Sequence, residues 1–443
     1  MKRIWIRYGH IVDPNAGLDG VFDIVIAKGK IESIGNPGPD TKTEDCEVID
    51  VRGKLVTPGL IDMHTHLRDP GHEYKETIET GCRAAAHGGF TAICCMPNTS
   101  PVNDNQSVTD YIIKKAMKVG SVRVHPVGAI SRGLAGKSLA EYGEMKAAGV
   151  VALTDDGNPV MDAQLMRRAL EYAKGFHLPL ISHCEDRNLT GRGVMNEGAT
   201  ATRLGLAGIP NASESVMVAR DIALSELTQT PVHIAHVSTR DSVRLIREAK
   251  ERGVPVTAET APHYFSLTEE AVIGYNTHAK VHPPLRSSKD VKAIVEGLRD
   301  GTIDVIASDH APHSSVEKDL EFDMAANGLI GLETSLPLSL ALVHSGTLTL
   351  AQIISKMSTN PARILRINPT RLKPGDPADL TIIDPLKEFT VRANRFQSKS
   401  RNTPFEGWQL KGKAIITIVK GKIVFHDGGR IKERADTAQT HDR

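Results

Sequence analysis

The sequence predicts an α/β protein: a TIM-type (β/α)8 barrel with a small β-sandwich built from both chain ends. Three observations carry this prediction. Short alternating strand patterns fill the first 55 residues, and a similar pattern returns after residue 365. Between them, eight apolar runs alternate with helical segments, the rhythm of repeated β/α units.

In the N-terminal flank (1–55), residues 4–11, 23–27 and 30–34 alternate like strands, and Lys28-Gly29-Lys30 makes a turn. In the C-terminal flank (366–430), residues 379–384 and 414–419 read as strands, and Lys420-Gly421-Lys422 turns into a third at 423–425. Two such flanks can pack as one sandwich. Residues 431–443 are polar and charged and read as a mobile tail. The barrel (56–365) opens with the apolar run 55–63. Seven further runs follow, at 90–96, 122–127, 150–154, 178–183, 232–236, 254–259 and 303–308. Helices are expected between most of them, for example over 162–174 and 213–227. A doubly wound sheet is the rival, but no Gly-x-Gly-x-x-Gly opens a helix after the first strand.

Composition narrows the function. Lys+Arg is 54 against Asp+Glu 53, which argues against nucleic acid or an anionic membrane as main partner. Aromatics at 4% leave little for base stacking. No apolar stretch approaches the roughly 20 residues of a membrane span. Residues 1–6 alternate rather than forming a signal peptide's apolar run. The five cysteines (Cys46, Cys82, Cys94, Cys95 and Cys184) are odd in number and lie in apolar settings. They read as reduced thiols of a cytoplasmic protein.

Barrel active sites lie at the C-terminal strand ends. Here strand 1 ends in His64-Thr65-His66, strand 4 in Asp155-Asp156-Gly157 and strand 5 in His183-Cys184-Glu185-Asp186. Strand 6 ends in His236-Val237-Ser238 and strand 8 in Asp309-His310-Ala311-Pro312-His313. Residues two apart on a strand share a side, so His64 and His66 can converge on one ion. Arg68 shares that side if the chain stays extended. An isolated His-x-His is weak evidence, because exposed pairs arise by chance. Four histidines and two carboxylates at five strand ends form a nitrogen and oxygen set suited to zinc or a similar divalent ion. Six ligands exceed one tetrahedral zinc and suit two ions sharing a carboxylate and a hydroxide. Asp155 and Asp156 cannot easily both face inward, and strand alternation alone does not choose between them.

His64-x-His66-x-Arg68-Asp69-Pro70-Gly71, Met96-Pro97-Asn98-Thr99, Asp155-Asp156-Gly157, His183-x-Glu185-Asp186, His236-Val237-Ser238, Asp309-His310-Ala311-Pro312-His313 and Pro374-Gly375-x-x-Ala378-Asp379-Leu380 together resemble the amidohydrolase superfamily. Within it the chain is similar to the dihydroorotases of the longer bacterial type (class I). The resemblance implies reversible hydrolysis and ring closure between (S)-dihydroorotate and N-carbamoyl-L-aspartate in pyrimidine biosynthesis. It implies two zinc ions per subunit, with one as the alternative. His64, His66 and Asp309 would bind the first ion, His183 and His236 the second, and Asp156 would bridge them. Asp155 would then have a supporting or helix-capping role. A metal-bridged hydroxide would attack the ring carbonyl, with Asp309 as general base and then acid. Arg68, Asn98 and His313 would contact the substrate carboxylate. His66, His282, Asn327 and Gly328 complete the expected substrate-binding set.

Two positions depart from the family pattern: His282 where many relatives have Asn, and Asn327 where many have Phe. Residues 314–325 are polar without an apolar period, and read as a lid or an ordinary loop. Hydantoinase, dihydropyrimidinase and allantoinase are the nearest rivals. They usually bridge their metals with a carboxylated lysine on strand 4, and residues 150–156 contain no lysine. They also tend to lack an arginine at the Arg68 position. A non-catalytic scaffold for aspartate transcarbamoylase is a rival of another class, but this chain keeps every metal ligand. A homodimer and a complex with that transferase are partnerships the resemblance allows.

Overall fold

A computed structural model describes residues 2–35, 46–368 and 371–428. The tail at 431–443 lies outside the described residues. Eight parallel strands run in sequence order around the barrel: Leu60–Thr65, Phe90–Cys95, Arg123–Gly128, Ala152–Thr154, Leu180–Ser182, Val232–Ile234, Val256–Thr260 and Val305–Ile306. The bridge from Thr65 to His310, with His66 N donating to His310 O at 2.8 Å, brings strand 8 back to strand 1.

Alternation sorts the strand residues between two cores. Met63, Ala92, Cys94, Val127, Ala152, Ile181, Ala235 and Val305 pack together inside the barrel, and Ala362 and Leu365 of helix Asn360–Leu365 join them. Leu60, Phe90, Leu153, Leu180, Val232 and Ile234 face the surrounding helices. Helices Ala163–Gly175 and Ala212–Thr228 form where their periodicity places them. Asp162 caps the first by accepting from the backbone of Gln164 and Leu165.

The two flanks join in one hydrogen-bonded sheet. Its order is Lys422–His426, Gln409–Val419, Leu380–Thr390, Leu55–Pro58, Arg3–Asp13, Leu18–Ala27 and Lys30–Gly35, with Cys46–Asp50 also paired to Arg3–Asp13. Ile4, Ile6, Ile24, Ile26, Val56, Leu380, Ile382, Ile416 and Ile418 form its core.

The apolar run at 55–63 is two strands, not one. Leu55–Pro58 pairs with the N-terminal strand on one side and with Leu380–Ile383 on the other, tying the two ends of the chain together. It straddles the expected domain boundary at 55/56, and its pairing belongs to the flank sheet. Leu60–Thr65 then enters the barrel. Gly59 between them donates to Asp379 O (3.0 Å) and accepts from Ser358 Oγ (2.8 Å). A Cβ at Gly59 would lie 2.1 Å from Thr91 Oγ1 and 2.5 Å from its Cγ2. Thr91 is fully buried, so neither side yields easily. Gly59→Ala is expected to cost about 1–3 kcal/mol through overpacking. A urea titration reads this as a lower midpoint with unchanged slope; an unshifted midpoint contradicts it.

The five cysteines are free, and four are buried. Among the described residues no helix is long and apolar enough to cross a membrane.

Candidate metal centre and active site

The strand ends converge on Asp156. One of its oxygens lies 3.4 Å from His64 Nε2, 3.4 Å from His183 Nδ1 and 3.3 Å from His236 Nε2; the other lies 3.5 Å from His66 Nε2. Asp309 lies 3.7 Å from His64 Nε2 and 3.4 Å from His66 Nε2. His183 Nδ1 and His236 Nε2 are 2.8 Å apart. All six residues are buried.

Asp155 points the other way. Its Oδ1 accepts from the backbone N–H groups of Ile130 (2.8 Å) and Ser131 (3.0 Å), and its other oxygen accepts from Ser131 Oγ. It anchors the loop after strand 3, while Asp156 sits among the four imidazoles. This settles which member of the pair faces the cluster.

The far side of three rings fixes which nitrogen is offered to the centre. Glu259 Oε1 lies 2.6 Å from His64 Nδ1 and accepts a hydrogen bond from it, while Nε2 is buried with no hydrogen-bond partner. Asn98 Oδ1 lies 3.0 Å from His66 Nδ1, and Glu185 Oε2 lies 3.3 Å from His183 Nε2. A ring nitrogen whose partner nitrogen donates to a carboxylate or carbonyl is in the form that ligates metal. Ligand atoms roughly 2.0–2.2 Å from a tetrahedral ion sit roughly 3.3–3.6 Å from each other. The separations around Asp156 and Asp309 largely match this spacing. The donor set fits a divalent ion at two places: His64, His66 and Asp309, and His183 with His236, with Asp156 reaching both.

Both carboxylates remain ionised. Burial pushes each up, but His64, His183 and His236 outweigh it at Asp156 and hold it well below the usual range. At Asp309 the hydrogen bond from His66 and the charges of His64 and His236 also win.

Arg68 reaches the site by a different route from the one alternation suggests. The first strand ends at Thr65, and Arg68 adopts a left-handed backbone (φ 61°). Its guanidinium is buried. Nε donates to Pro312 O (3.2 Å) and a terminal nitrogen lies 3.3 Å from His313 Nε2. Burial lowers its pKa to about 10, against the pull of Asp309 and Glu317, so it stays cationic at neutral pH. Burial and the charges of Arg68 and Lys75 push His313 down to about 2, so that ring is neutral.

Asn98 therefore supports His66 directly. His282 Nε2 lies 3.0 Å from Glu185 Oε2, and its ring stacks on His183 (centroids 5.7 Å, 18°). Gly328 N donates to Lys280 O, and its carbonyl accepts from Asn402 Nδ2 and Lys318 Nζ. Both main-chain polar groups of Gly328 are thus engaged within the protein. The Asn327 side chain is exposed, and among the described residues no hydrogen bond or ion pair joins it to the cluster.

The stretch 314–325 is docked. It contains the short helix Ser315–Lys318 and buries Phe322 and Ala325. Lys318 Nζ donates to Ala326 O (2.7 Å), and Lys280 Nζ to Ala325 O (2.7 Å) and Asp323 O (3.0 Å). Glu259 is the main residue sequence reasoning missed. It closes the seventh strand run, a position that barrel geometry marks as active-site rim.

A barrel whose strand ends gather four imidazoles and two carboxylates into a donor set for divalent ions defines a hydrolase of the amidohydrolase class. The Dihydro-orotase-like family profile matches residues 53–242. A protein named Dihydroorotase from Geobacter metallireducens is 58% identical over 420 residues, covering 95% of this chain and 99% of that one. One of the same name from Syntrophus aciditrophicus is 54% identical over 425 residues, covering 96% and 100%. In structure, the L-hydantoinase (dihydropyrimidinase) of Arthrobacter aurescens superposes with a TM-score of 0.86 at 26% identity, covering 97% of both chains. The chain belongs to the dihydroorotase family.

Proposed function

We propose that the protein interconverts (S)-dihydroorotate and N-carbamoyl-L-aspartate, with two zinc ions per subunit held by His64, His66, Asp156, His183, His236 and Asp309. The observation that carries the substrate is Arg68. It is a buried cation beside Asp309, and among the described residues no carboxylate pairs with it. A buried charge without a partner is costly, and a substrate carboxylate supplies the missing anion in bidentate geometry. Neutral His313 adjoins the guanidinium and adds a polar contact without a competing charge.

Bound divalent ions polarise a scissile carbonyl and make water nucleophilic at neutral pH. Asp309 is ionised and lies against His66. It takes a proton from the attacking water and returns it to the ring nitrogen as the C–N bond breaks. In ring closure the same carboxylate removes the proton from the ureido nitrogen. The absence of lysine from 150–156 and the reach of Asp156 to all four histidines support this reading over a hydantoinase-type site bridged by modified lysine. The intact ligand set supports an active enzyme over a scaffold subunit. The free, mostly buried cysteines support a cytoplasmic setting. A homodimer and an assembly with aspartate transcarbamoylase rest on the family resemblance alone. Absence of co-elution on size exclusion counts against the assembly.

Arg68→Met tests the substrate assignment. Losing a charged contact to a buried carboxylate is worth roughly 2–5 kcal/mol. The variant is expected to retain its metal, raise KM for dihydroorotate and lose about 30-fold or more in kcat/KM. Unchanged kinetics remove Arg68 from the carboxylate site.

A further inference from the structure

Glu185 has a second partner beyond the metal ligand it supports. It follows strand Leu180–Ser182 by three residues, is buried, and presents one oxygen to two rings. Oε2 lies 3.3 Å from His183 Nε2 and 3.0 Å from His282 Nε2. The two imidazoles stack almost parallel, 18° apart with centroids at 5.7 Å. They come from different parts of the barrel: His183 after strand 5, His282 from the segment that follows strand 7. His183 turns its other nitrogen, Nδ1, toward His236 and Asp156. His282 is the outer ring, with 22% of its side chain exposed against 3% for His183.

A neutral imidazole carries one proton. With Nε2–H of His183 donated to Glu185, the lone pair must sit on Nδ1, on the side of Asp156. The same oxygen holds the Nε2–H of His282, which fixes that ring against His183. It leaves Nδ1 as the ring nitrogen of His282 turned away from Glu185, open to a polar group of the substrate ring.

We propose that Glu185 is a positioning residue that couples metal binding at His183 to substrate binding at His282. The inference rests on the function proposed above. A metal held through the lone pair of His183 Nδ1 would fix that ring, and through Glu185 and the stack the wall the substrate meets. Loss of Glu185 is then felt at both ends, whereas loss of His282 is felt at only one.

Zinc affinity by chelator competition and KM for dihydroorotate, measured on the full chain, separate these cases. Glu185→Leu is expected to lose about 10–100-fold in zinc affinity, the usual cost of removing a ligand's outer partner, and to raise KM. Glu185→Gln places an amide oxygen where Oε2 stands, so it is expected to keep both properties within about fivefold of wild type. His282→Ala is expected to raise KM with zinc affinity unchanged. In the Glu185→Leu background it adds no further rise, because the ring is already released. If Glu185→Leu fails to fold, Glu185→Asp, one methylene short of both rings, is expected to show the same paired losses. Wild-type zinc affinity in Glu185→Leu or Glu185→Asp overturns the proposal. So does a KM effect of His282→Ala that multiplies fully with that of Glu185→Leu. If the wild-type protein does not act on dihydroorotate, the assigned reaction fails. Zinc affinity still decides whether Glu185 sets the His183 lone pair.

Discussion

Asp156→Ala is expected to abolish activity and to lower metal affinity by more than the roughly 10–100-fold typical of losing an outer partner. Among the described residues the carboxylate lies within 3.5 Å of all four histidines. Its removal takes away the anion that all four imidazoles face. The two halves of the donor set then share no ligand. Asp155→Ala is the control, one residue away with the same chemistry. It is expected to keep its metal and most of its activity. Its loss strands the N–H groups of Ile130 and Ser131 that now meet its carboxylate. Leaving buried donors unsatisfied costs about 1–3 kcal/mol each, so the effect is on stability. Metal analysis after dialysis, with a denaturation curve for each variant, reads both. The reverse ordering contradicts the assignment of Asp156.

Asp309→Asn is expected to lower kcat by about 10²–10⁴-fold, the usual worth of a general acid–base group. The amide preserves shape and can still meet His66, but it cannot take and return a proton. The native carboxyl is held below its ordinary range by His66, His64 and His236, so it is ionised and available as a base. Asp309 is also a candidate metal donor, so the comparison requires saturating metal and a measured metal content. A kcat within tenfold of wild type at full metal content assigns the proton transfer elsewhere.

Much of the fold is legible because strand alternation and helical periodicity are local properties. The eight barrel strands and the helices after residues 162 and 211 form where the pattern places them. The split at Gly59 is not local. It depends on a strand pairing with residues more than 300 positions away and on the side chain of Thr91. The histidines and Asp309 were readable because they close barrel strands. The choice of Asp156 over Asp155 needed the pairing geometry of a three-residue strand, Ala152–Thr154. Arg68 reaches the site through a left-handed turn, which alternation does not describe. Glu259 and Glu185 act through the far nitrogens of His64 and His183, and spacing along the chain does not show which ring each one meets. The docking of 314–325 by Lys280 and Lys318 was hidden for a related reason: long charged side chains normally read as surface. Asn327, expected at the substrate, has an exposed side chain.

The most direct test uses purified protein stripped of metal, reloaded with zinc, and assayed on a substrate panel. The structure predicts interconversion of dihydroorotate and N-carbamoyl-L-aspartate, lost on stripping and restored on reloading, with no comparable turnover of hydantoin or allantoin. Turnover of hydantoin or allantoin with none of dihydroorotate contradicts the reading of Arg68. Full activity in the stripped protein contradicts the metal centre itself.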